Sequence, residues 1–201
     1  MGKCIALLVF AACLFSASSA IAAEQASDTI RSYIQNVQTV LKDDAGEIDS
    51  QDSPARDRLH TLADTIFDFR EISRRSMGRP WNTLSPAQQQ EYVSLFSAML
   101  KNVYLEKFMK YGENPVTVLG ETSLDSRKVE VHSKVEIAWT EIPVDYKMIR
   151  QGNSWRIYDI QTKGVSLTLN YRKQFASLMT NRSPEHVIDV LRKKIETEAL
   201  G

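Results

Sequence analysis

The sequence has no excess charge of either sign: 25 Lys and Arg stand against 25 Asp and Glu over 201 residues. That balance excludes bulk nucleic-acid binding, which needs surplus cations to neutralise phosphates. Glycine and proline are scarce, at 8 and 6, which excludes collagen-like and low-complexity chains. Both cysteines, Cys4 and Cys13, fall at the extreme N-terminus. There is no Gly-x-Ser-x-Gly, no phosphate loop, no Gly-x-Gly-x-x-Gly and no His-Glu-x-x-His. These absences disfavour the common hydrolase, kinase and dinucleotide chemistries. What is present is 43% hydrophobic residues, enough for a core in one domain.

The one strictly apolar run, Ile5 to Phe15, follows Lys3 and precedes Ala20-Ile21-Ala22. A basic start, a short apolar centre and a small-residue end predict a secretory signal peptide over 1–22, cleaved after Ala22, with Ala23 the next choice. The run is shorter than the roughly 20 residues that span a bilayer. Phe10-Ala11-Ala12-Cys13 offers a lipoprotein alternative, against which Phe at the first position counts. Cleavage removes both cysteines, so the mature chain 23–201 is expected to be one soluble, exported domain without disulfide, thiol nucleophile or Cys-based metal site. It must then rest on its apolar core.

The first half has helical periodicity. Ile30, Ile34, Val37 and Leu41 mark a helix over 27–41, with Tyr33 and Val40 widening the stripe. A polar loop covers 42–53. Ser53-Pro54 opens a second helix carrying Leu59, Leu62, Ala63, Ile66, Phe67, Phe69 and Ile72 as far as the break at Gly78-Arg79-Pro80. A third opens at Ser85 with capping-box spacing to Gln88 and runs to about Tyr111, too apolar to lie on a surface. Beyond Gly112 the period becomes two. Val129, Val131, Val135, Ile137 and Trp139 alternate with polar residues in a half-buried strand over 127–139. Val116 and Val118 suggest a strand before it, and Ile142 to Met148 and Trp155 to Ile160 two after it. Two helices close the chain. The fold class is α+β: N-terminal helices, an antiparallel meander of four or more strands, and C-terminal helices, packed on one face of the sheet.

Candidate chemistry is sparse. His60, His132 and His186 lie on three elements without a ligand-spaced partner and read as surface histidines, so no metal and no cofactor is expected. Asp64, Asp68 and Glu71 share a helix face. They fit either an acid/base pair or an ion-pair ladder with Arg74 and Arg75. Arginines so close lower carboxylate pKa values, the wrong direction for a general acid. The large side chains of the third helix and the meander fit either a solid core or the walls of an apolar cleft. Periodicity does not choose between these.

Two segments resemble a known family. One is Phe67-Asp68-Phe69-Arg70-Glu71-Ile72-Ser73, followed by Gly78 and Ser85-Pro86-Ala87-Gln88-Gln89-Gln90-Glu91-Tyr92. The other is Trp155-Arg156-Ile157-Tyr158-Asp159-Ile160, then Gly164-Val165-Ser166-Leu167 and Asn170-Tyr171-Arg172 with Phe175. Both are similar to the MlaC family, also called toluene-tolerance auxiliary proteins, the periplasmic phospholipid-binding components of the Mla lipid-transport system. The resemblance spans about 25–198. It implies a fold related to the NTF2-like class, an apolar pocket between sheet and helices that takes acyl tails, a headgroup near the mouth, and no catalysis. It also implies a periplasmic shuttle between an inner-membrane ABC transporter complex with an MCE-domain protein and an outer-membrane lipoprotein–porin complex that keeps outer-membrane lipid asymmetry. Lys163 stands where the family often has Glu, which weakens any partner contact carried by that acid. A related branch occurs near hopanoid genes.

Carried onto this sequence, the resemblance makes Val131, Val135, Trp139, Tyr146 and Met148 of the meander pocket-lining candidates. Tyr104 and Phe108 of the long helix, and Val165 and Leu167 of the turn, would face them. Arg70, Arg74, Arg75 and Arg79 could meet a lipid phosphate or an acidic docking surface, or form a solvated helix face. The competing readings are a small NTF2-like enzyme using Asp68 or Glu71, which needs those carboxylates at the pocket floor, and an adaptor whose apolar residues all pack into a solid core.

Overall fold

The computed structural model describes residues 25–43 and 53–199; the proposed signal peptide over 1–22, most of the polar loop and the side chains of 108–111 and 198–199 lie outside the described residues. Helices α1 (Ala26–Asp43), α2 (Pro54–Ile66), α3 (Phe69–Met77) and α4 (Pro86–Tyr111) precede five strands. The strands are β1 (Val116–Asp125), β2 (Lys128–Ile137), β3 (Thr140–Gln151), β4 (Ser154–Thr162) and β5 (Val165–Ser166). Helices α5 (Leu167–Leu178) and α6 (Glu185–Ala199) follow. The strands form one antiparallel sheet in sequence order.

The helix starts follow local chemistry. Ser53 Oγ accepts from the Ala55 N–H, with Pro54 in the first turn. Ser85 and Gln88 form a reciprocal capping box, at 3.3 Å from the Gln88 N–H to Ser85 Oγ and 2.8 Å from the Ser85 N–H to Gln88 Oε1.

The single helix expected from Ser53 to Gly78 is two. Phe67 bridges to Ile157 of β4, and the Asp68 N–H donates to the Ile157 carbonyl at 2.8 Å. Asp68 then caps α3 by accepting from the Glu71 N–H at 2.9 Å. Docking on the strand and a fresh N-cap together outweigh the apolar stripe that runs unbroken through the sequence. Gly78 ends α3 at φ +72, a left-handed conformation that residues with a Cβ rarely adopt.

The apolar residues divide into two cores. One joins α1 and α2 to the inner face of the sheet around Ile30, Leu59, Val131, Met148 and Ile157. The other joins α3, α4, α5 and α6 around Tyr92, Phe96, Phe175 and Val187, with Phe96 and Phe175 ring centres 5.2 Å apart. Phe67 packs against both. No helix among the described residues is long and apolar enough to cross a membrane.

Candidate functional site

The inner face of the sheet is covered only in part. In the β2–β3 register Val129 faces Met148 and Val131 faces Tyr146, while farther along Val135 faces Ile142. At the first end α1 and α2 close down and Val131 and Met148 keep no exposed surface. At the other end sheet and helices separate around a cavity of about 280 Å³. Its sheet wall is Val116, Val135, Ile137, Ile142, Val144, Tyr146 and Ile160. Its helical wall is Tyr33, Ile34 and Val37 of α1, Tyr104 of α4, and Phe67. This volume stands near the lower bound of roughly 300 Å³ for ligand pockets.

Among the described residues three phenols, with Gln38 and Thr162, interrupt the hydrocarbon wall, and each phenol stays neutral at ordinary pH. Burial pushes the Tyr104 hydroxyl up to about 12, with Tyr171 and Asp159 adding to the rise. Burial and then Tyr146 raise Tyr33. Burial raises Tyr146, against a hydrogen bond with Ser133. Tyr146 is enclosed by protein yet retains accessible surface, because the surface it keeps faces the cavity. Among the described residues the one charged group on the wall is Lys107, which is exposed, with Nζ 4.8 Å from the centre of the Tyr104 ring. Its exposure marks that end as the mouth. A largely apolar hollow whose described charged wall residue is the exposed Lys107 suits a hydrocarbon chain carrying an anionic group.

Of the candidates named from the sequence, Tyr104, Val135 and Tyr146 line this cavity. Val131 and Met148 do not; they belong to the packed end of the same face. Trp139 is not on the inner face either. The alternation stops at Ile137, because Ala138 and Trp139 form a tight hairpin turn at φ 44 and 68, and the indole is fully exposed at 105%. Val165 is 61% exposed on short β5, beyond the turn made by Lys163 and Gly164, both at positive φ. Leu167 is buried in the helical core. The Phe108 side chain lies outside the described residues.

None of the four arginines lines the cavity. Arg74 and Arg75 grip Glu71 at 2.7 Å, Arg75 lies 4.1 Å over Tyr158, and Arg70 lies 5.4 Å over Trp81. Arg79 is exposed on the short 3₁₀ turn over 79–83. α3 buries Ile72, Ser73, Ser76 and Met77, which turns the arginines outward.

The carboxylates of the enzyme alternative do not reach the cavity wall. Asp64 bonds Lys101 at 3.0 Å, Asp68 caps α3 and accepts from Gln151, and Glu71 sits between two arginines. Burial alone would raise the Glu71 carboxyl, but hydrogen bonds and charge from Arg74 and Arg75 outweigh it and hold it below the usual range.

The histidines have closer surroundings than their spacing suggested. His132 lies in a row across three strands, 2.9 Å from Asp145 Oδ1 and 2.9 Å from Thr122 Oγ1. His60 keeps its Nε2 buried without a hydrogen-bond partner among the described residues.

The Gly164-Val165-Ser166-Leu167 motif builds a corner outside the main cavity, with Leu167 turned to a separate hole of about 40 Å³. Buried Asp159 accepts from the Ser166 hydroxyl at 2.6 Å and the Thr168 N–H at 3.0 Å, while Ser166 caps α5.

Sequence reasoning left out as lining Tyr33, Ile34, Val37, Gln38, Phe67, Lys107, Gly112, Val116, Ile137, Ile142, Val144, Ile160 and Thr162. The breadth of the α1 stripe was the available signal, since Ile34 and Val37 mark it and Tyr33 widens it.

Comparison with known proteins agrees with this geometry. The chain is 22% identical over 161 residues to the toluene tolerance protein ttg2D of Pseudomonas putida, covering 79% of this chain and 75% of that protein. Its fold is similar to that of the phospholipid-binding protein from Ralstonia solanacearum, solved in complex with a phospholipid, at a TM-score of 0.76 and 23% identity over 88% of this chain and 99% of that one. The sequence pattern of the MlaC protein matches residues 31–193, so the chain belongs to the MlaC family.

Proposed function

We propose that this chain is a non-enzymatic phospholipid carrier of the periplasm. Its leader over 1–22 is cleaved near Ala22, and 23–201 acts as a single lipid-binding domain. Acyl tails enter the cavity between the sheet and helices α1 and α4, and the phosphate of the headgroup remains at the mouth beside Lys107. The observation that carries this reading is the cavity itself, whose wall holds one charged side chain among the described residues, the exposed Lys107.

The energetics favour such a device. A buried methylene is worth roughly 0.8 kcal/mol, so a two-chain lipid with about 30 of them loses on the order of 20 kcal/mol on entering water. Uncatalysed desorption against such a barrier is very slow. A carrier therefore loads and unloads while docked, and keeps the tails dry between. The docking sites are an inner-membrane ABC transporter complex with an MCE-domain protein and an outer-membrane lipoprotein–porin complex. The arginines of α3 and the 3₁₀ turn, with Arg79 exposed among them, are the surface offered to an acidic partner.

Transfer of a fluorescent phospholipid between donor and acceptor vesicles tests the reading. The rate should rise in proportion to added mature protein. A rate equal to spontaneous desorption at every protein concentration would contradict it.

A further inference from the structure

Two cavities share one wall. Behind the main cavity lies a smaller one of about 40 Å³, lined by Leu59, His60 and Ala63 of α2, Leu100 of α4 and Leu167 of α5. Phe67, Tyr104 and Ile160 line both. The smaller hole has room for water, which needs roughly 10–15 Å³. It offers little to hold water with, since apart from the rim Lys101 and the wall Tyr104 the unpartnered His60 Nε2 is its main polar group. Protein interiors are close-packed and keep few such voids.

The backbone of the shared wall is tied down at Phe67, while its ring stands between the two spaces. The Phe67 N–H donates to the Ala63 carbonyl at 2.9 Å and the Asp68 N–H to Ile157, which pins the backbone at the junction of α2 and α3. The Phe67 ring is only partly buried. It meets Tyr33 of the main cavity edge-on at 6.2 Å and stacks at 5.5 Å on Phe69, which lines the smaller one. Rotamer change is then the available motion, and it would open one space into the other.

We propose that the smaller cavity is a second acyl-chain subsite, which receives the end of a long hydrocarbon tail when Phe67 and Tyr104 turn aside. The inference rests on the carrier reading above. It accounts for how a main cavity near the lower size limit for ligand pockets could take long tails.

The test uses mature wild-type protein loaded with phosphatidylcholine bearing a diazirine at the end of a palmitoyl chain, or at the end of a lauroyl chain. After irradiation, adducts are mapped by mass spectrometry. The palmitoyl probe should label Leu59, His60, Ala63 or Leu100, which line the smaller cavity alone. The lauroyl probe should label main-cavity residues such as Val37 and Ile142. Ala63→Phe fills the hole from α2 and leaves the residues that line the main cavity unsubstituted. By excluding about two methylenes it should weaken palmitoyl-lipid binding about tenfold and leave lauroyl-lipid binding unchanged. Palmitoyl adducts confined to main-cavity residues overturn the subsite while leaving the carrier reading intact. Wild type that takes up neither probe overturns both. Should Ala63→Phe fail to fold, the wild-type adduct map decides.

Discussion

Val131 and Val135 project from the same face of β2 with only Ser133 between them on that face, yet Val131 is completely buried in packed core and Val135 lines the cavity. The inner face of one sheet thus serves as core at one end and as ligand wall at the other.

The two valines should respond differently to truncation. Val131→Ala leaves a hole in close-packed surroundings and should cost roughly 1–3 kcal/mol in urea unfolding. Val135→Ala enlarges a space that already exists and should cost less than about 1 kcal/mol. Lipid bound per folded molecule should be unchanged by either. Equal destabilisation by both would mean that the cavity is closed in solution.

Lys107 should act on headgroup charge and not on tails. Lys107→Glu is expected to weaken anionic phospholipid binding by a few-fold at low salt, an exposed ion-pair effect of about 0.5–1 kcal/mol that fades as salt rises. Arg74→Glu should leave lipid binding unchanged, because Arg74 lies off the cavity wall. Binding isotherms for phosphatidylglycerol vesicles at two salt concentrations compare the variants. The opposite ranking would move the mouth to α3.

Glu71 gives a pH signature. Its carboxyl is held below the usual range in the folded chain, so it contributes stability above the unfolded pKa of 4.5 and loses it as pH falls through the lower folded value. Glu71→Gln should therefore lower the Tm at neutral pH. The gap from wild type should shrink once the pH drops below 4.5 and vanish beneath the folded pKa. Thermal melts across pH 7 to 3 read this directly. A gap that widens on acidification would contradict the arginine clamp.

The Tyr92 hydroxyl is buried among aromatic rings with no hydrogen-bond partner among the described residues, and burial raises its pKa well above the ordinary value. Removing a polar group that makes no bond stabilises a core by about 1–3 kcal/mol if nothing else shifts. Tyr92→Phe should raise the urea midpoint. A lowered midpoint would show that a partner, such as a buried water, is present.

The order of elements was legible because caps and periods are local. Ser53-Pro54, the Ser85 capping box and the alternation in β2 each placed an element from a few residues. The split at Phe67 and Asp68 was hidden, because it depends on Ile157, far along the chain. The cavity was hidden for a related reason. A hydrophobic period reports which side chains face inward, and Val131 and Val135 satisfy it equally. Whether inward means core or hollow depends on how far α1 and α4 stand off the sheet. The motifs that carry the family resemblance are mostly frame: Asp159 and Ser166 fasten a corner, and Tyr92, Tyr171 and Phe175 pack helices together. Only Phe67 and Ile160, at the ends of two motif segments, reach the wall of the main cavity, and the rest of that wall comes from residues that no short motif marks.

Native mass spectrometry of gently purified mature protein beside its Val144→Trp variant tests the account most directly. Val144 lines the cavity, so an indole there occupies the space meant for tails while outward-facing surfaces stay as they are. Wild type should carry co-purified phospholipid, released by organic extraction, and the folded variant should carry little or none. Empty wild-type protein, or a folded variant holding as much phospholipid as wild type, would contradict the claim that this cavity is where the lipid travels.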